Sequence, residues 1–230
     1  MANRRAAIHD FYRQQLGAQA LLEKAAATAP QYAYTGPAVK HAVVTRTDLN
    51  GYSAWARGRP AAERAAQLDA FFSTVVPQIE LAGGVFFRDE GDCIVAVFSD
   101  YFARGATYKS IREFSKTVTD RAYGVAALTA KTCVSCGDVA FFQKKHEVAT
   151  GDWSAEGEPF VRSARLEAAV NSIKHVVFLK DDYDAHFEGT ATWAAPGSSP
   201  RWTVTPESIQ VSGLGAPGGW VDVVRLECKP

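Results

Sequence analysis

Two strand-like runs, Val85-Phe-Phe-Arg88 and Cys93-Ile-Val-Ala-Val-Phe98, are separated only by Asp89-Glu-Gly-Asp92. A gap that short, with a Gly-Asp turn, predicts an antiparallel hairpin in the middle of the chain. The hairpin has to be fitted between helices. Before it, the β-branched run His41-Ala-Val-Val-Thr-Arg-Thr47 reads as the first core strand and ends at Asp48-Leu-Asn-Gly51, which has turn composition. Pro60 suits a first helical turn, and Ala65, Leu68, Phe72, Val75 and Ile79 then recur at helical spacing until Gly83-Gly84.

After the hairpin a second helix is expected from roughly Tyr101 into the 120s, then a strand from Cys133 to Phe142. A polar loop with Gly151 and Gly157 follows. Pro159 opens a helix through Leu166, Ala169 and Ile173, and Val176-Val-Phe-Leu179 reads as a strand. This β-α-β-β-α-β order, with extra strands near Trp202 and from Trp220 to Leu226, is the split βαβ or ferredoxin-like α+β arrangement. Residues Arg4 to Ala27 are rich in helix formers and Pro30 closes them. Residues 1–38 are therefore expected as a helical extension and 39–230 as the domain, with Ala194 to Pro200 its most loop-like segment.

Charge and cysteine content narrow the function. Twenty-five basic residues balance twenty-five acidic ones, which leaves no global field for a nucleic-acid backbone or an anionic membrane. Phosphate chemistry would have to be local. The start of the chain lacks the apolar run of a signal peptide, and no segment has the apolar length of a membrane span. With four cysteines and no dense framework, a reducing cytoplasm is expected. Cys133 and Cys136 form a lone CxxC inside a strand-like stretch, without a second pair at zinc-ribbon spacing.

Asp48 ends a strand, and Asp92 occupies a turn between two others. In a split βαβ sheet the first strand lies beside the hairpin, so both carboxylates can converge at one sheet end. Adjacent hard oxygen ligands suit Mg²⁺ or Mn²⁺, which take few protein carboxylates and complete their shells with phosphate oxygens and water. Either aspartate alone would serve equally well as a turn cap.

Together with their surroundings they match a family. Asp48-Leu-Asn-Gly-Tyr-Ser53 resembles the Asp-Ile-x-Gly-Phe-Thr element of class III adenylate and guanylate cyclases, and Gly83-Gly84 through Arg88, Gly91-Asp92 and Phe98 resembles the hairpin that follows it. Gly157-Glu-Pro-Phe-Val-Arg-Ser-Ala-Arg-Leu-Glu167 is similar to the family's Gly-x-x-Val-Asn-x-Ala-x-Arg-Leu helix, and Val211-Ser-Gly-Leu-Gly to its C-terminal Lys-Gly element. The likeness runs from about His41 to Leu226. It implies two divalent ions, Mn²⁺ or Mg²⁺, bridged by Asp48 and Asp92, with the Leu49 carbonyl as a backbone ligand. Arg165 would stabilise charge on the α-phosphate.

Two positions depart from the pattern: Val161 replaces the family's Asn and Ser212 its Lys. Lys144, Lys145, Arg162 and Lys174 are candidate substitutes. Arg88 stands where the family reads the base with Lys or Glu. A guanidinium carries only donors, which suits the carbonyls of uracil. His41, at the mouth of the first strand, is a second candidate for the base. These features resemble the pyrimidine cyclases of bacterial anti-phage Pycsar systems, whose cyclic nucleotide activates a separate effector. The resemblance implies a uridylate cyclase acting as a homodimer with sites at the interface. Cytidylate or adenylate cyclisation, and a degenerate cyclase fold that only binds nucleotide, remain the alternatives.

Overall fold

A computed structural model describes residues 38–102, 105–143, 153–171, 174–188, 202–215 and 218–228. The N-terminal helix expected before Pro30, the segment from Ala194 to Pro200, Lys144, Lys145 and Ile173 lie outside these residues.

The first strand, β1 (Ala38–Leu49), is followed by a short helix α1 (Tyr52–Ala56) and the long helix α2 (Ala61–Leu81). The hairpin is β2 (Val85–Glu90) and β3 (Cys93–Ser99). A 3-10 turn at Asp100–Phe102 precedes α3 (Tyr108–Asp120), and β4 (Ala130–Gln143) and β5 (Trp153–Glu156) come next. The chain continues through α4 (Glu158–Ala169), β6 (His175–Leu179), α5 (Lys180–His186), β7 (Trp202–Gln210) and β8 (Trp220–Cys228).

The strands form one sheet in the order β2-β3-β1-β4-β6-β8-β7, with β5 paired to β4. The first four are antiparallel neighbours, which is the ferredoxin-like arrangement expected for a hairpin inserted into a βαβ unit. β6 joins β4 in parallel, and β8 and β7 extend the sheet antiparallel.

Alternation along the strands divides the core. Val43 and Leu49 of β1 face one side with Ile94, Ala96 and Phe98, where Phe71, Val75 and Ile79 of α2 and Ile111, Phe114 and Val118 of α3 cover them. Ala42 and Val44 face the other side with Val95, Val97 and Phe160 of α4. Gly84 lets the end of α2 close on β3, because a Cβ there would lie 2.4 Å from the Phe98 ring.

Several expectations shift. The buried stripe of α2 is Gln67, Phe71, Val75 and Ile79, while Leu68 and Phe72 are only partly buried and Ala65 is exposed. Gln67 can lead that stripe because its amide donates to the Tyr123 carbonyl at 2.7 Å, which offsets the cost of burying it. The second helix starts at Tyr108 rather than Tyr101, fixed by a capping box between Thr107 and Ser110. Strand β5 occupies part of the expected polar loop, and α5 forms where the polar run after Leu179 predicts no element. Cys133 and Cys136 face opposite sides of the sheet, both buried as free thiols whose pKa burial raises, so they are core residues and not a chelating pair.

Candidate active site

The face that carries Ala42 and Val44 also carries Arg46 and Asp48, since even-numbered residues of β1 share it. Asp48 lies opposite Cys93 of β3 on one side and Lys131 of β4 on the other. The backbone N–H of Leu49 donates to the Asp92 carbonyl at 3.2 Å, which ties the end of β1 to the hairpin turn. Both aspartates therefore stand at one end of the sheet. A cleft of about 370 Å³ opens there, lined by Asp48, Asn50, Gly51, Thr129, Lys131 and Asn171.

Two residues that sequence reasoning missed complete this end. Lys131 forms ion pairs with Glu167 of α4 at 2.8 Å and with Asp48 at 3.6 Å. Its ammonium also donates to the carbonyls of Glu167 and Val170, at 3.0 and 2.9 Å, near the end of α4. A lysine at the start of a strand carries no local signal of this role; only the pairing of β1 with β4 reveals it.

The electrostatics follow from burial and crowding. Asp48 is raised to about 7, by burial first and then by the charges of Glu167 and Asp92, against the opposing pull of Lys131. Asp92 is also raised, mainly by burial. Lys131 stays above the ordinary lysine value because its acidic partners outweigh its burial. Partly buried carboxylates at one end of the sheet, both raised, are groups whose charge a divalent cation would stabilise. Among the described residues no three or more His, Cys, Asp or Glu side chains form a metal-binding group, but a carboxylate pair fits ions that keep water and phosphate oxygens in their shells. Asp48 and Asp92 would hold them.

Arg165 lies elsewhere. It lies on α4 two residues before Glu167, and two residues on a helix are about 200° apart. Glu167 faces Lys131, so Arg165 faces away from the carboxylates of its own chain. Its guanidinium is exposed and donates to the Gly213 carbonyl in the loop between β7 and β8. Gly213 has φ +74°, a left-handed backbone conformation that favours glycine. Val161, one turn earlier on α4, is also exposed, and Ser212 adjoins Gly213. The arginine and both departures from the family pattern thus share one surface.

The remaining candidates divide. Arg88 is on β2 opposite Val95 of β3, its Nε donating to Glu90 at 2.7 Å and its guanidinium over the Phe87 ring. His41 lies seven residues from Asp48 along β1, about 23 Å of extended chain, at the opposite end of the strand. There its ring is 5.1 Å from that of His186. Arg162 donates to Asp182 at 3.2 Å and to the Cys136 carbonyl at 3.3 Å. Lys174 occupies the turn before β6 with φ 56°.

No protein-family profile and no curated protein matches the chain. Solved structures do. The adenylyl cyclase CyaB from P. aeruginosa superposes with a TM-score of 0.61 at 14% identity, covering 84% of this chain and 97% of that one. The guanylyl cyclase Cya2 gives 0.59 at 16% identity, over 85% and 96% of the two chains. The guanylate cyclase domain of RhGC from Catenaria anguillulae, solved with GTP, gives 0.59 at 11%, over 83% and 98%. The chain has the fold of class III cyclase catalytic domains. No helix among the described residues is long and apolar enough to cross a membrane.

Proposed function

We propose that residues 39–230 form a nucleotide cyclase domain that converts UTP to 3′,5′-cyclic UMP and pyrophosphate. The observation that carries the reading is the convergence of Asp48 and Asp92, tied through Leu49, at one end of a sheet with the cyclase fold. Bound there, with the Leu49 carbonyl as a further ligand, two Mg²⁺ or Mn²⁺ ions would promote ionisation of the 3′-hydroxyl and offset charge on the phosphates. Lys131, held by Glu167, Asp48 and two carbonyls, offsets only part of the negative charge at this end of the sheet, which leaves the triphosphate charge to the metal ions. Arg88 donates to the uracil carbonyls. In the net reaction the 3′ oxygen bonds to the α-phosphorus, the α–β phosphoanhydride bond breaks, and the hydroxyl proton goes to solvent.

Arg165 points away from the carboxylates of its own chain, which supports a site shared between two copies. In a symmetric homodimer each Arg165 would serve the partner's aspartates by preorganised electrostatic stabilisation. The product would act as a messenger read by a separate effector, in a cytoplasmic anti-phage role like that of the pyrimidine cyclases the sequence resembles. Mixing Asp48→Ala and Arg165→Ala chains tests the shared site. Random exchange makes half the dimers mixed, each with one whole site, so about a quarter of wild-type activity is expected. A mixture that stays inactive while subunits exchange contradicts the model.

A further inference from the structure

Beside the aspartates the same sheet face carries a second set of charges. Strand register places Arg88, Val95 and Arg46 in one rank across β2, β3 and β1, and Glu90, Cys93 and Asp48 in the next. Glu90 thus shares a rank with Asp48, and both arginines reach it from the rank behind. Arg46 Nη2 donates to one carboxylate oxygen of Glu90, and Arg88 Nε donates to the other at 2.7 Å. Arg46 is the buried member, with its side chain 6% exposed against 39% for Arg88. Its Nε is buried with no hydrogen-bond partner. The Arg46 hydrogen bond is also the largest cause that holds Glu90 below the usual carboxylate range.

A buried ion pair contributes little net stability compared with apolar residues of the same volume, and an orphaned donor makes this one poorer still. Fold stability therefore gives no account of Arg46. Geometry does. Arg46 anchors Glu90 from below, and Glu90 holds Arg88 by Nε alone, leaving both terminal amino groups of that guanidinium for a ligand.

We propose that Arg46 and Glu90 determine base selection together with Arg88, Arg46 as a positioning residue and Glu90 as an acceptor beside the Arg88 donors. An adjacent donor and acceptor match a ring carbonyl next to a ring N–H, the pattern of uracil at O4 and N3. Cytosine and adenine present an amino group where Arg88 offers donors, and guanine shares the pattern on a larger base. The inference rests on the cyclase reading, and the experiment separates the two.

Dissociation constants of 3′-deoxy-UTP, 3′-deoxy-CTP and 3′-deoxy-ATP, which lack the attacking hydroxyl, are measured with Mg²⁺ on the full chain. Wild type should bind the uridine form most tightly. Arg46→Met should reduce that preference about tenfold while the melting temperature moves by only a few degrees. Arg46→Lys can still supply the single bond to Glu90 and should retain most of the preference. Glu90→Leu, at the partly exposed rim, removes both acceptor oxygens and should lose it, which provides the result if Arg46→Met does not fold. An unchanged preference in Arg46→Met or Glu90→Leu overturns the proposal, and so does an equal loss in the Lys and Met variants, which marks a packing role. A wild type that binds none of the three overturns the cyclase reading itself.

Discussion

Substituting Asp48 by Asn should remove activity and yet stabilise the metal-free protein above neutral pH. In the folded chain Asp48 is raised from 3.8 to about 7 by burial and by neighbouring carboxylates. A shift of roughly 3 units corresponds to about 4 kcal/mol by which ionising Asp48 opposes folding. That figure is a ceiling, because a buried Asn amide has a desolvation cost of its own. A net gain of about 1–3 kcal/mol for Asn, or roughly 3–10 °C in melting temperature for a domain of this size, is expected at pH 8. Lys131 is not orphaned by the change, since it keeps the Glu167 carboxylate and two carbonyls.

The pH dependence fixes the cause. The folded pKa lies above the unfolded one, so between about pH 4 and 7 the native state holds more protons and wild-type stability falls as pH rises through that window. The advantage of Asn should be near zero at pH 4, grow through pH 5 and 6, and level off above 7. Mg²⁺ in excess should then narrow or reverse the gap, because wild type gains about 2.7 kcal/mol at a hundredfold excess over Kd while the variant gains less. The assay is thermal melting of both proteins from pH 4 to 8 with and without Mg²⁺. Destabilisation by Asn at pH 8, or an advantage that does not change with pH, would refute the argument.

Asp92→Ala should abolish cyclisation while the melting curve stays within a few degrees of wild type, because the residue lies in a turn and not in the core; retained product formation would contradict its role. Arg88→Ala should lower catalytic efficiency on UTP about ten- to a hundredfold more than on CTP or ATP, the loss of one charge-assisted hydrogen bond. Equal losses on all three would assign Arg88 to phosphate or structure. Asp182→Ala should destabilise by about 3–5 kcal/mol in denaturant unfolding, since this buried carboxylate accepts from Arg162 and from the Cys136 N–H at 2.8 Å.

Much of the fold could be read from the chain because local signals agreed with one another. The hairpin announced itself through Asp89-Glu-Gly-Asp92, and Gly83-Gly84 marked the end of α2 correctly. Failures occurred where a polar residue replaces an apolar one. Gln67 leads the buried stripe of α2 through a hydrogen bond to a residue far along the chain, so periodicity found Val75 and Ile79 but displaced the first half of the stripe by a residue or two. Helix α5, Lys180-Asp-Asp-Tyr-Asp-Ala-His186, is polar almost throughout and buries little besides Asp182 and Tyr183. Strand β5 has four residues and takes its register from β4.

The site divides along the same line. Asp48, Asp92 and Arg165 stand in local motifs and were visible. Lys131, Glu167, Arg46 and Glu90 derive their contacts from strand register and from α4 lying over the sheet, which no single segment encodes. His41 and Asp48 stand at opposite ends of β1, a separation that follows from strand length and not from any local motif.

The central claim is tested most directly by identifying the product. Purified protein is incubated with UTP, CTP, ATP and GTP in the presence of Mn²⁺, and the cyclic nucleotides are identified by mass spectrometry. The account predicts 3′,5′-cyclic UMP with stoichiometric pyrophosphate from wild type and neither product from Asp48→Asn or Asp92→Ala. A folded, dimeric wild type that forms no cyclic nucleotide from any of the four would contradict it, and would leave a cyclase fold that binds nucleotide without turning it over.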